Sequence, residues 1–369
     1  MARRILPIAF AIVALPVGLI WAVPATTAPE NEYFPGRQWD KPVSPEQSGW
    51  SATALTEAGK CAETIGSAAV FVVHRGRPVW AFGDVAKRYQ NHSMRKSLLS
   101  ALYGSYVREG KIRLTDTMAD LNIDDKEPTL TAVEKQATVS ALLRARSGVY
   151  HPSAHETAGM KAARPQRYSH APGTFWYYNN WDFNVLGTIF RAAAHASIGQ
   201  DFSERIAGPL QMEDFRLEDA KEELSEVSIH PAYPFRMSAR DMARFGLLFL
   251  RQGRWRDRQV IPSDWVTEST RTYSAVRGER GEVRCGYGYM WWTSLNGRHL
   301  EGVDLPEGSY SARGVGGQYV LVVPRLDLVI VNRVNTDNRT GPRVERAEFG
   351  GLVKRILAAM PATLPTGSP

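Results

Sequence analysis

Cysteine is nearly absent: 369 residues contain two, Cys61 and Cys285. That is too few for a disulfide scaffold, and neither has companions at metal-ligand spacing, so both read as core or semi-buried thiols. Concentrated positive charge is missing too. The 45 Lys and Arg exceed the 38 Asp and Glu to leave +7, yet the excess is dispersed. No long basic run and no interleaving of basic and aromatic residues occurs, which argues against a nucleic-acid partner. There is no Gly-x-Ser-x-Gly, so the nucleophile elbow of an α/β-hydrolase is lacking. A dinucleotide fingerprint fails as well, because Tyr319 stands where the last glycine should follow Gly314 and Gly316. Internal repeats are not found. What remains is 43% hydrophobic, 22% charged and 10% aromatic, with 31 Gly and 22 Pro. This is ordinary globular composition and excludes a disordered, collagen-like or coiled-coil chain.

One long apolar run exists, at the start. Arg3 and Arg4 precede the stretch Ile5 to Val23, which is interrupted by Pro7 and Pro16 and followed by small residues around Ala25. Residues 1–25 therefore read as a secretory signal or, uncleaved, as an N-terminal membrane anchor. Either reading puts the rest of the chain in the periplasm or outside the cell, soluble apart from a membrane tether. Residues 26–47 are polar and Pro-rich without periodicity, a linker or an arm laid on the surface.

The folded domain is expected over residues 48–360, followed by a tail, 361–369. Leu55, Ala58, Ala62 and Ile65 recur at helical spacing, and Ala69 to His74 and Pro78 to Phe82 flank Arg75-Gly76-Arg77 as a hairpin. Leu99, Leu102, Tyr103 and Tyr106 mark a helix closed by Gly110. Residues 97–236 are otherwise loop-rich and helical. Ser238 and Asp241 have capping-box spacing ahead of a helix to Arg251. Val320 to Val323 and Leu326 to Val331 form a second hairpin, and Val344 to Met360 a closing helix. The pattern predicts one α/β (α+β) domain assembled from both chain ends, carrying a helical insertion.

The chemistry concentrates at residues 91–102. Ser93 and Lys96 stand three apart at a helix start, just under one turn, so both side chains share a face. A serine hydroxyl needs an adjacent base, and a desolvated lysine near other cations can shed its proton near neutral pH. The same spacing also fits a capping serine and a solvated lysine. Further along come Tyr178-Asn179-Asn180 after a run of aromatics and Ala312-Arg313-Gly314-Val315 ahead of an apolar strand.

These three elements, in this order, resemble the serine β-lactamase and penicillin-binding-protein superfamily, in the branch of class C β-lactamase-like esterases and 6-aminohexanoate-dimer hydrolases. Leu142-Leu143 before Ser147-Gly148, and Gly286 through Trp292, add to the likeness, which covers roughly residues 45–358. The resemblance implies an antiparallel sheet flanked by helices with an inserted all-helical lobe, and no metal or organic cofactor. It implies that Ser93 is acylated, that Lys96 is its base and that Tyr178 relays protons. Asn180 would hydrogen-bond near Lys96 and the substrate amide. The backbone N–H groups of Ser93 and Val315, beside Gly314, would form the oxyanion hole.

The third element departs from the family pattern. Where Lys or His, then Thr or Ser, then Gly is usual, this chain has Ala312-Arg313-Gly314. The cation that pairs a β-lactam carboxylate is missing, unless Arg313 turns toward the cleft. The expected function is a serine hydrolase acting on a small or peptide-like ester or amide. A penicillin-binding D,D-peptidase or β-lactamase, and a non-catalytic cell-envelope binding protein, are the alternatives. Loops around Tyr150 to Arg167 and Trp291 to Tyr310 would set specificity. Trp176, Tyr177 and Trp181 either line the pocket or fill the lobe interface. His151 and His155 lack a third metal ligand, and Pro152 disfavours a helix between them.

Overall fold

A computed structural model describes residues 32–42, 44–338 and 340–361. The expected signal or anchor, 1–25, and nearly all of the expected tail lie outside the described residues. Among those described, no helix is long and apolar enough to cross a membrane.

After a short arm, helix α1 (Ala52–Thr64) is capped by Ser51, whose hydroxyl accepts from the Ala54 N–H. It buries Leu55, Ala58 and Ala62, the stripe expected from spacing. Strands β1 (Ala69–His74) and β2 (Arg77–Gly83) form the first hairpin, and α2 (Arg95–Arg108) follows. Helices α3 (Asn180–Ala194) and α4 (Ala239–Leu250) come next. Then β3 (Ser274–Arg277), β4 (Val283–Tyr287), β5 (Trp292–Thr293), β6 (Tyr310–Gly314), β7 (Gln318–Val323) and β8 (Leu328–Arg333) lead to α5 (Arg346–Ala358). The eight strands form one antiparallel sheet in the order β2-β1-β8-β7-β6-β5-β4-β3. Pairing of β1 with β8, from Ala69↔Arg333 to His74↔Leu328, joins the two ends of the domain.

The central strands are continuous apolar runs because both sheet faces are covered. Val70, Val72, Leu321, Val323 and Ile330 point to a core shared with α1 and α5, while Phe71, Val73, Val320, Val322, Val329 and Val331 point to a larger core with α2, α3 and α4. Helix α2 runs through that larger core. It is buried from Arg95 to Gly104, so its apolar stripe is less defining than the sequence suggests. Its polar side chains find partners inside: Ser97 Oγ donates to the Met290 carbonyl at 2.8 Å, Ser100 Oγ to Tyr289 at 2.7 Å and Tyr103 OH to Leu186 at 2.7 Å.

Several boundaries differ from the sequence reading for local reasons. The last helix starts at Arg346 rather than Val344, because Glu345 and Glu348 close a reciprocal capping box there. Ser238 caps α4 through the Asp241 N–H, yet the Asp241 carboxylate does not return the bond. It accepts instead from the backbone N–H groups of Glu213 and Asp214, at 2.8 and 3.0 Å, tying a distant loop to the helix start. The stretch 97–236 also contains a small hairpin, Glu223–Ser225 with Ser228–Ala232. Both cysteines are free, Cys285 buried and Cys61 half-buried.

Candidate active site

Ser93 sits in a tight turn, His92–Met94, immediately ahead of α2. His92 is held at φ 46°, an uncommon conformation for a residue with a Cβ, and its Nε2 lies 2.7 Å from Thr336 Oγ1. The turn is fixed from the sheet side as well. Buried Arg333 on β8 donates from Nη2 to the carbonyls of Tyr89 and Gln90, both at 3.0 Å, and Asn91 N–H bonds the Phe235 carbonyl at 2.8 Å. Strand β6 passes so close that a Cβ on Gly314 would lie 2.5 Å from the Asn91 carbonyl oxygen. Only glycine permits that approach without backbone movement, which accounts for the glycine of the third element.

Lys96, in the first turn of α2, is 1% exposed. Its Nζ lies 2.8 Å from Ser93 Oγ and 2.8 Å from Tyr178 OH, with the ammonium 4.6 Å from the centre of the Tyr178 ring and 4.9 Å from that of Phe183. Among the described residues no carboxylate is paired with it. Burial, reinforced by the charge of Arg95, holds its pKa well below the usual lysine range. Burial pushes the Tyr178 phenol the other way, to about 12, against smaller lowering by the Ser93 hydrogen bond and Arg95. Burial thus disfavours charge on both members of the pair, the ammonium and the phenolate alike.

Tyr178 is positioned by the residues around the start of α3. Asn179 caps that helix through the Trp181 N–H and donates from Nδ2 to the Val149 carbonyl at 2.6 Å. Buried Asp182 accepts from Ser147 Oγ at 2.6 Å and from Asn179 Nδ2 at 3.1 Å. The Ser147-Gly148 turn is thereby bonded to the helix end that carries Tyr178. Asn180 donates from Nδ2 to the His155 carbonyl at 2.7 Å, while its buried Oδ1 has no hydrogen-bond partner. No hydrogen bond joins it to Lys96, but it lines the same cleft.

That cleft has a volume of about 860 Å³ and is lined by Ser93, Trp176, Tyr178, Asn180, Trp292, Gly314 and Val315, among others. Trp292 stacks on Tyr178, with ring centres 5.4 Å apart. Of the three aromatics in doubt, Trp176 lines the cleft. Trp181 is fully buried and donates to Asp125 Oδ2 at 2.7 Å, and the Tyr177 hydroxyl donates to the Met160 carbonyl at 2.7 Å. The loop after Tyr150 contributes His155, Glu156, Thr157 and Met160, whereas only Trp292 of residues 291–310 reaches the cleft. His299 and Leu300, from the latter loop, line a separate depression of about 720 Å³.

Arg313 is on the cleft wall, but its fork is committed. It donates to Ser311 Oγ and to the His299 carbonyl, each at 2.8 Å, and lies over the Trp292 ring at 5.0 Å. Ala312 is fully buried against the helical core. The linear sequence hides a further feature. Six arginines, Arg95, Arg277, Arg284, Arg313, Arg343 and Arg346, line the cleft against two glutamates, Glu156 and Glu345. They come from four stretches, Arg95, Arg277 with Arg284, Arg313, and Arg343 with Arg346, so no single run signals them. Among the described residues no cluster of three potential metal ligands occurs. His151 is enclosed by backbone carbonyls and Asp125, and His155 pairs with Glu223 at 2.5 Å.

The beta-lactamase family model matches residues 53–354. The chain belongs to the beta-lactamase family. An uncharacterized protein from Alkalihalophilus pseudofirmus is 22% identical over 299 residues, 73% of this chain and 84% of the relative. A candidate 6-aminohexanoate-dimer hydrolase from Bacillus anthracis superposes with a TM-score of 0.61 at 21% identity, covering 81% of this chain and 80% of that one. A penicillin-binding-protein homolog from Caulobacter crescentus gives 0.62 at 15% identity, over 84% and 97%. At such identities the likeness is one of fold.

Proposed function

We propose that this beta-lactamase-family protein is a serine hydrolase that cleaves an ester or amide through an acyl-enzyme on Ser93. The observation that carries the reading is the placement of buried Lys96 Nζ 2.8 Å from both Ser93 Oγ and Tyr178 OH, with burial favouring the free amine. In the proposed reaction the Ser93 proton passes to Lys96 as Oγ bonds to the substrate carbonyl carbon. The developing oxyanion is held by the N–H groups of Ser93 and Val315. As the C–O or C–N bond breaks, the proton moves through Tyr178 to the leaving alcohol or amine. Water, giving a proton back to the same pair, then attacks the acyl carbon and frees the acid and Ser93. The Asn180 side chain, with its open acceptor, would take an N–H from an amide substrate.

The buried Ala312 and the committed Arg313 favour substrates other than β-lactams, since neither offers a free cation at the third element. Residues 1–25 would deliver the enzyme across or onto the membrane. Labelling the protein with a fluorophosphonate and mapping the adduct tests the nucleophile: a Ser93 adduct absent in Ser93→Ala supports the reading. No labelling, or undiminished labelling of the Ala variant, overturns it. Faster turnover of penicillins than of short-chain p-nitrophenyl esters would replace it with a β-lactamase. Tight ligand binding without any adduct would favour a binding protein.

A further inference from the structure

The cleft that holds Ser93 carries more charge than the proposed reaction uses, and its two signs are treated differently. Both carboxylates on its wall are engaged. Glu156, whose side chain is 3% exposed, is held by the Arg164 fork, and Glu345 accepts the Glu348 backbone N–H in the α5 capping box. Of the arginines, Arg313 is spent on Ser311 and His299, Arg284 lies 3.1 Å from Glu282, and Arg277 donates to the Gly281 carbonyl at 2.8 Å. Arg343 and Arg346 differ from these. Both line the cleft, both are exposed, and among the described residues neither is hydrogen-bonded or ion-paired.

Backbone packing puts these two beside the reacting groups. The Val344 N–H donates to the Gly316 carbonyl at 3.3 Å, and a Cβ on Gly317 would lie 2.5 Å from Val344 Cβ. The same turn is pressed against the nucleophile turn, where Gly314 approaches the Asn91 carbonyl. Residues 343–346 are thus clamped to the third element, with buried Val344 as the anchor and an arginine at each end. Arg343 also lines an adjoining recess of about 310 Å³ with Gln90, His92 and Thr336. The acid of that recess, Asp337, is already bidentate to Arg236, each contact 2.7 Å. Arg95 adds further positive charge to the cleft, 3% exposed and with Nε and Nη2 lacking a partner.

We propose that the cleft selects ester or amide substrates bearing a carboxylate away from the bond that is cleaved, and that Arg343 and Arg346 hold that carboxylate. Resting on the reading of Ser93 as nucleophile, it adds the class of substrate. A guanidinium fork matches a carboxylate in plane and in charge, and a concave wall of one sign gathers ligands of the other from solution. Arg343, Glu345 and Arg346 together leave one net positive charge, which balances a carboxylate and not a phosphate dianion. The site belongs to the segment leading into α5, not to the place of Ala312 on β6. Its arginines bind and orient the substrate; proton transfer stays with Lys96 and Tyr178.

The test compares p-nitrophenyl monoesters of the dicarboxylic acids from adipate to sebacate, each paired with its neutral ω-methyl ester, on the full chain. At low salt the best carboxylate of the series should exceed its neutral partner about tenfold in kcat/KM, mainly through KM. Added salt should shrink that ratio, because both arginines are exposed. Arg343→Gln with Arg346→Gln should bring the ratio near one, and the corresponding double Glu variant should turn it toward the neutral ester. Lys60→Gln, which removes one charge from α1, 67% exposed and outside the cleft, should leave the ratio as in wild type. Equal turnover of both esters at every length, or a preference that survives the double Gln variant, overturns the proposal. A wild type that hydrolyses neither ester and gives no fluorophosphonate adduct at Ser93 overturns the underlying reading instead.

Discussion

Between α1 and α5 the sheet is covered by small and aliphatic side chains, Ala58, Ala62, Val353 and Ile356 against Val70, Val72 and Ile330, whereas the opposite face buries Lys96, Arg95, Asp182, Asn184 and Arg244 among its aromatics. The first face spends its residues on packing. The second accepts buried charge, open donors on Arg95, an open acceptor on Asn180 and a left-handed His92, each of which costs stability. Those at Arg95, Asn180 and His92 fall on one cleft, so substitutions on the two faces should separate stability from reactivity.

The largest effect is expected from Ser93→Ala, which should abolish fluorophosphonate labelling and ester hydrolysis while the melting temperature changes little. Next come Lys96→Ala and Tyr178→Phe, each expected to lower kcat by about 10²–10⁴-fold, with the double variant little worse than the worse single, because the two act as one unit. Additive losses would show independent roles. On the other face, Leu352→Ala should cost about 2–5 kcal/mol in denaturant unfolding and leave the Ser93 labelling rate of the folded protein intact. A drop in that rate would show that the two faces are coupled. Gly314→Ala touches both properties, since its Cβ would meet the Asn91 carbonyl at 2.5 Å. It should destabilise by about 1–3 kcal/mol and slow labelling, read by unfolding and by rate. The smallest effects belong to the helix caps. Ser51→Ala, at an exposed cap, should cost about 1 kcal/mol, and Ser238→Ala, at a fully buried one, up to about 2, without a change in labelling for either. Equal costs would show that burial of the cap adds nothing.

These comparisons also separate what was readable from the chain. The hairpin at 318–333 and strand 69–74 were legible because central strands covered on both faces must be continuously apolar, the edge strand 77–83 because a Gly turn follows that run, and the helix after Ser93 because Leu99, Leu102, Tyr103 and Tyr106 recur at its period. Ser93, Lys96 and Tyr178 stood out by type, spacing and order. The exact start of α5 was less legible, since Val344 continues the apolar pattern while the Glu345–Glu348 capping box sets the boundary. The convergence of six arginines on the cleft had no local signal, because they are brought together by strands and loops far apart in sequence.

The sequence alone determined the fold class, the family and the candidates for the reacting residues, since these follow from side-chain chemistry and from periodicities of 2 and 3.6 that local backbone geometry enforces. Only the tertiary structure decided their state. Lys96 is pushed toward the free amine because it is sealed from water, with the charge of Arg95 adding to the effect. Arg313 is diverted from its expected place by Ser311, His299 and Trp292. Arg95 is left with open donors at the edge of the cleft. Solvation and charge depend on what packs around a residue from every side, and that environment is made of segments the linear order keeps apart.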